Sequence, residues 1–93
     1  MKFVERFVLE EGKYEATLTN DEDNVLSLCR YTIADEYLCI EWIHSNTKRK
    51  GYAQSLLKKI ATKHDKFIIP NVVYTSEAES FWRFFILEQM KRA

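Results

Sequence analysis

Apolar and polar residues alternate with a period of two through most of the first half of the chain. The alternation is loose from Lys2 to Leu9, around Phe3, Phe7 and Leu9, and predicts a first strand. Tyr14 to Thr19 alternates again, Val25 to Ile33 supplies a third strand and Tyr37 to His44 a fourth. Between them lie the short polar segments Glu10 to Lys13, Asn20 to Asn24 and Ala34 to Glu36, each rich in turn-forming residues. Four strands joined this way predict an antiparallel meander. The period then changes. Ala53, Leu56, Leu57, Ile60 and Ala61 fall on one helical face and predict a helix from about Gly51 to His64. The apolar run Lys66 to Ile69 reads as an interior strand that should end, bulge or splay at Pro70, with Val72 to Tyr74 continuing beyond it. Thr75 or Ser76 can cap a last helix, because Glu77 and Glu79 suit its first turn and Ala78, Phe81, Trp82 and Phe85 share a face. An edge strand over Phe84 to Met90 is the rival reading of that tail.

Length and composition narrow the class. Ninety-three residues make a single domain, 1–93, and an apolar fraction of 46% with 14% aromatic residues excludes a disordered chain. No apolar run reaches the roughly 18 to 20 residues that span a bilayer. Met1 to Arg6 leads directly into strand pattern without a signal-peptide core, so the expected location is cytoplasmic. Cys29 and Cys39, both set among apolar strand residues, are expected to be buried free thiols, and nothing has the ligand spacing of a metal site.

Charge changes the picture more. The net charge is zero, yet residues 1–47 carry −6 and residues 48–93 carry +6. Half of the cations lie between Lys48 and Lys66. Such asymmetry suits an anionic ligand, nucleic acid or the acidic half of a second copy, so a homodimer is one expectation. The junction Asn46 to Leu57 concentrates it, with Lys48, Arg49, Lys50 and Gly51 directly before a helix. Free backbone N–H groups, the positive end of a helix dipole and three cations there would converge on one anion.

In the order β-β-β-β-α-β-α, the segment Lys48-Arg49-Lys50-Gly51-Tyr52-Ala53 followed by Gln54-Ser55-Leu56-Leu57 resembles the cofactor loop of the GNAT superfamily of N-acetyltransferases. That signature has Gln or Arg, two variable residues, Gly, one variable residue, then Gly or Ala; Lys48 departs from it. The likeness runs from about Tyr14 to Trp82 and is densest between Trp42 and Ala61. It implies an α+β fold with a mixed central sheet, in which an antiparallel meander is joined to a parallel pair flanking the cofactor-loop helix. It also implies acetyl-CoA, or another acyl-CoA, with the pyrophosphate held by Lys48 to Gln54 and the groove completed by Ile43, His44 and Trp82. Ala78, Phe81 and Trp82 align with a family helix that usually has Phe-Tyr where this chain has Phe-Trp. An indole N–H cannot replace the proton-donating phenol, so Trp82 is either a groove wall or core. Tyr74 is the nearest phenol that would substitute, or else a packing residue.

Amine acetylation also requires a base. Glu41, the one acid within the fourth strand, is either that base, with its pKa raised by apolar neighbours, or the partner of a cross-strand cation such as Arg30. Simple alternation would place it with Cys39 and Ile43, and would put Ile40, Trp42 and His44 on the other face. His44 is a second candidate base, against a solvated histidine. Lys58, Lys59, Lys63 and Lys66 form a solvated face, a contact for the CoA 3′-phosphate, or a nucleic-acid contact. Compared with longer family members, Glu10 to Lys13 leaves no room for the helices that wall the acceptor site. An open groove of this kind suits a protein or peptide lysine. The expected activity is N-acetyl transfer to an amine; the alternative is a catalytically degenerate CoA-binding or interaction module, and a nucleic-acid binder ranks last because no aromatic-basic or DNA-reading motif appears.

Overall fold

The pattern of the first half resolves into strands β1 (Lys2–Val8), β2 (Lys13–Thr19), β3 (Val25–Ile33) and β4 (Tyr37–Ser45), followed by helix α1 (Tyr52–His64), strand β5 (Phe67–Pro70) and helix α2 (Ser76–Arg92). The computed structural model describes residues 1–46, 51–71 and 75–92. The expected continuation of β5 through Val72 to Tyr74 therefore lies outside the described residues. The strands form one sheet in sequence order, antiparallel from β1 to β4 and parallel between β4 and β5. The chain is thus an α+β fold with a five-stranded mixed sheet, and α1 is the crossover that the parallel pair requires. No described helix is long and apolar enough to cross a membrane.

One face of the sheet is apolar. Ala16 and Leu18 of β2, Cys29 and Tyr31 of β3, Leu38 and Ile40 of β4 and Ile68 of β5 pack with Leu56, Leu57 and Ile60 of α1, all of them buried. Trp82 and Phe85 of α2 join the same cluster. The other face carries a ladder of charges. Arg30 Nε donates to Glu15 at 3.0 Å, Arg6 reaches the same carboxylate at 2.9 Å, and Lys13 Nζ lies 2.9 Å from Glu41 Oε2. This division of faces is the usual solution for an antiparallel sheet with one wetted side.

A bulge at Glu41 revises the expected faces of the residues beyond it. Arg30 stands opposite Trp42 while Tyr31 stands opposite Ile40, so Glu41 is an extra residue with no partner in β3. Beyond it the side-chain parity inverts. Ile43 lies opposite buried Cys29 and packs against the core, whereas Trp42 and His44 are exposed. Ile43 therefore shares the inner face with Ile40, not a face with Cys39. Cys39, also expected to be buried, is only partly so, and both thiols are free.

The ends of the elements follow from local chemistry. Thr75, rather than Ser76, caps α2: its Oγ1 accepts the Ala78 N–H at 3.0 Å. The segment from Phe84 to Met90 is helical, which removes the edge-strand alternative. From that helix Gln89 reaches across to β5, accepting the Ile68 N–H and donating to the Ile68 carbonyl, both at 2.7 Å. Residues 68 and 70 face the same side of the strand, so the N–H that Pro70 lacks would have pointed to this outer edge. Consistent with this, the Asn71 N–H on the inner side still donates to the Ile40 carbonyl at 2.8 Å. At the start of β5, Lys66 Nζ donates to the Ala34 and Asp35 carbonyls and ties the strand to the β3–β4 turn.

The C-terminal end of α1 is fastened to β1 through Glu5, which is in phase with Phe3 and Phe7 and faces the helix. Its carboxylate accepts from the Tyr31 hydroxyl, lies 2.6 Å from His64 Nε2 and pairs with Lys63 Nζ at 2.7 Å. Only 9% of the Glu5 side chain is exposed, and the Tyr14 ring stacks on His64 with an interplanar angle of 12°. Burial pushes the Glu5 pKa up, but the hydrogen bonds from Lys63, Tyr31 and His64 together outweigh it and hold the pKa below the ordinary glutamate value. Burial, followed by the bond to Glu5, drives the Tyr31 phenol upward.

Two outcomes follow from these contacts. A depressed native pKa gives stability that is present above the unfolded-state pKa of about 4.3 and is lost as pH falls through the lower native value. Urea midpoints measured from pH 7 downward should therefore fall more steeply below about pH 4.5 for the natural chain than for Glu5→Gln, which should start lower and stay flatter. Gln89→Leu leaves the Ile68 N–H and carbonyl uncovered and should lower unfolding free energy by about 1–3 kcal/mol in chemical denaturation.

Candidate cofactor groove

Strand lengths create the site. β4 has nine residues and β5 has four, and their pairing covers only Tyr37 to Ile40. From Glu41 to Ser45 no described strand lies against β4 on that side. Along this open edge run two depressions. One, of about 260 Å³, is bounded by Glu41, Trp42, Pro70 and Thr75; the other, of about 410 Å³, by His44, Ser45, Ala53, Glu77 and Phe81. Ile43, Thr75, Ala78 and Trp82 line both. The two are therefore neighbouring parts of one groove between the end of β4, the start of α1 and the first turns of α2.

Trp82 is held firmly in this wall. It is 6% exposed and meets Phe81 and Phe85 edge to face, with ring centroids at 5.4 and 5.8 Å. It is both core and groove wall, because the α2 face that packs inward also turns past the open edge of β4.

At the other end of the groove, Gly51 precedes α1 with φ of 74° and ψ of 11°, a left-handed conformation that glycine adopts without strain. Among the described residues no side chain caps the helix, and its first turn contains no acid. The first helical bond runs from the Ser55 N–H to the Gly51 carbonyl at 2.9 Å. The N–H groups of Tyr52, Ala53 and Gln54 therefore precede the helical ladder and make an electropositive end. Glu77 stands on the rim and is the carboxylate that a bound anion would meet there.

The structure thus brings Ile43, His44, Ala53 and Trp82 to one groove, with Gly51 two residues from Ala53. Tyr52 and Gln54 occupy the same helical turn, partly buried, but do not line the groove. Lys48, Arg49, Lys50 and Tyr74 lie outside the described residues. Glu41 reaches the groove at its far end, and its cation is Lys13 rather than Arg30. Arg30 instead sits 6.0 Å from the ring centre of Trp42 and bonds Glu15 and Glu11.

No protein-family model matches the chain, and no curated protein gives a significant match. The chemistry of the groove accordingly rests on its own residues. Sequence reading passed over Thr75 and Glu77 as lining residues, treating them only as helix-start signals, since their approach to β4 depends on where β5 stops. It also passed over the Glu5, Tyr31 and His64 cluster. The available signal was an acid in phase with Phe3 and Phe7; its partner His64 is 59 residues away.

Among the described residues a Cβ on Gly51 would meet no atom within 4 Å, so the opposition to substitution seen there comes from the backbone conformation. Gly51→Ala should lose about 1–2 kcal/mol in chemical denaturation, and Gly51→Asn less, because asparagine tolerates the left-handed region.

Proposed function

We propose that the chain binds acetyl-CoA, or another acyl-CoA, in this groove and transfers the acyl group to an amine. The observation that carries the reading is the groove itself, an apolar channel along a strand edge that no described strand covers, ending at a helix N-terminus with no acid in its first turn and no side-chain cap among the described residues. The five-stranded sheet, with its parallel pair flanking α1, supports a reduced GNAT-like architecture. In this reading the N–H groups at Tyr52, Ala53 and Gln54 hold the diphosphate, joined by Lys48, Arg49 and Lys50. Ile43, Ala78, Phe81 and Trp82 enclose the apolar arm, and His44 flanks it.

The cofactor supplies an activated acyl thioester. The chain's own work is to orient it and to manage protons. Glu41 accepts the amine proton at Oε1, the oxygen not engaged by Lys13, and the nearby cation keeps the carboxylate in place. Tyr74 is the phenol assigned to return a proton to the departing thiolate. The acceptor is an amine presented from outside, and a protein or peptide lysine fits a groove this open. The reading places the protein in the cytoplasm, where Cys29 and Cys39 stay reduced. A homodimer would use the exposed stripe of Phe84, Leu87 and Met90 on α2.

One observation favours a second reading. Trp82, which in the resemblance stands where the family has its proton-donating phenol, is locked between two phenylalanines, while Glu41 is already engaged by Lys13. A CoA-binding or interaction module without turnover would have these features.

Calorimetric titration with acetyl-CoA, followed by thiol release on a panel of lysine peptides and small amines, separates the two. For the enzyme, binding should weaken at least about tenfold in Trp82→Ala. Glu41→Gln should keep binding and lose about 10²- to 10⁴-fold in turnover. Binding with no thiol release supports the CoA-binding module, and no heat at millimolar acetyl-CoA removes both acyl-CoA readings.

A further inference from the structure

We propose that β1 and the lysine face of α1 form a docking site for an acidic, extended peptide segment, which adds to the sheet beside β1 as a sixth strand. This site lies at the opposite edge of the sheet from the groove and does not rest on the acyl-CoA reading. Beside β1 an open depression of about 620 Å³ is lined by Phe3, Ser55, Lys58, Lys59, Thr62 and Lys63. Phe3 forms an apolar floor, with Lys63 Nζ 6.0 Å from its ring centre. Lys63 is engaged by Glu5, but among the described residues neither Lys58 nor Lys59 has an ion-pair partner.

The two edges of the sheet differ. Gln89 takes the outer backbone groups of β5 at Ile68. Among the described residues no side chain reaches the outer edge of β1 in this way, although β1 is the terminal strand. Alternate residues of this seven-residue strand turn their N–H and carbonyl groups away from β2, a template for another strand. Val4 and Phe7, 43% and 51% exposed, offer that strand apolar contacts. On an added strand, every second side chain would face the helix layer and its lysines. That position selects aspartate or glutamate.

Charge also argues against a second copy as the occupant. Antiparallel pairing of β1 with its own counterpart about a twofold axis would place both α1 helices on the same face of the joined sheet. The lysine faces of the two helices would then approach each other across the junction, which is unfavourable. An acidic partner removes the repulsion.

The probe is a blocked synthetic peptide of alternating glutamate and valine, read by fluorescence anisotropy and by amide hydrogen exchange. Its lysine-for-glutamate counterpart and a single-stranded oligothymidylate are the controls. The glutamate peptide should bind, slow exchange at β1 amides and weaken as salt rises. Lys58→Glu combined with Lys59→Glu should reduce its affinity at least about tenfold, and the lysine peptide should not bind. Should the double variant fail to fold, exchange protection and peptide charge preference in the natural chain still decide. The proposal is overturned by absence of binding at millimolar peptide, or by binding that leaves β1 exchange unchanged. Equal affinity for the lysine peptide or the oligonucleotide overturns it as well. Self-association that protects β1 without peptide would assign the edge to a second copy instead.

Discussion

The mismatch in length between β4 and β5 is the constraint on which the candidate site depends. Among the described residues β5 pairs with only four of the nine positions of β4, and the extra residue at Glu41 falls just beyond the last of them. The bulge turns the exposed half of β4 by one side chain, so that Ile43 faces the core and Trp42 and His44 face water. With equal strands and no bulge, the space occupied by the groove would be ordinary sheet. Among the described residues the ladder beside β4 stops at Ile40, and α2 walls the space beyond it with Ala78, Phe81 and Trp82.

Much of this order was readable from residue pattern. Strand and helix limits shift by a residue or so, because period two and period 3.6 are strong where one face is buried and the other wet. Gly51 and Thr75 announced the two helix starts through conformational preference and capping chemistry. What could not be read was the register between elements. One bulge inverted the facing of half a strand, and nothing in the local sequence of Glu41 marks it, since the irregularity belongs to the pairing of β3 with β4. For the same reason Lys13, and not Arg30, holds that carboxylate: the partner is set by a diagonal across the sheet.

The division of charge along the chain acquires a structural sense. The acidic first half supplies the meander, and the basic second half supplies α1, so the excesses meet where the helix lies against the sheet. Glu5 receives Lys63 and His64 there, fastening the last turn of α1 to the first strand. Lys58 and Lys59, one turn earlier, extend past the reach of that acid and leave the β1 side of the helix positive.

The carboxamide of Gln89 imitates a strand, offering one acceptor and one donor to the outer side of Ile68. That screen belongs to α2 and not to the sheet, so any loosening of the last turns of α2 would uncover the Ile68 N–H and carbonyl and turn the outer side of β5 into an edge open to an added strand.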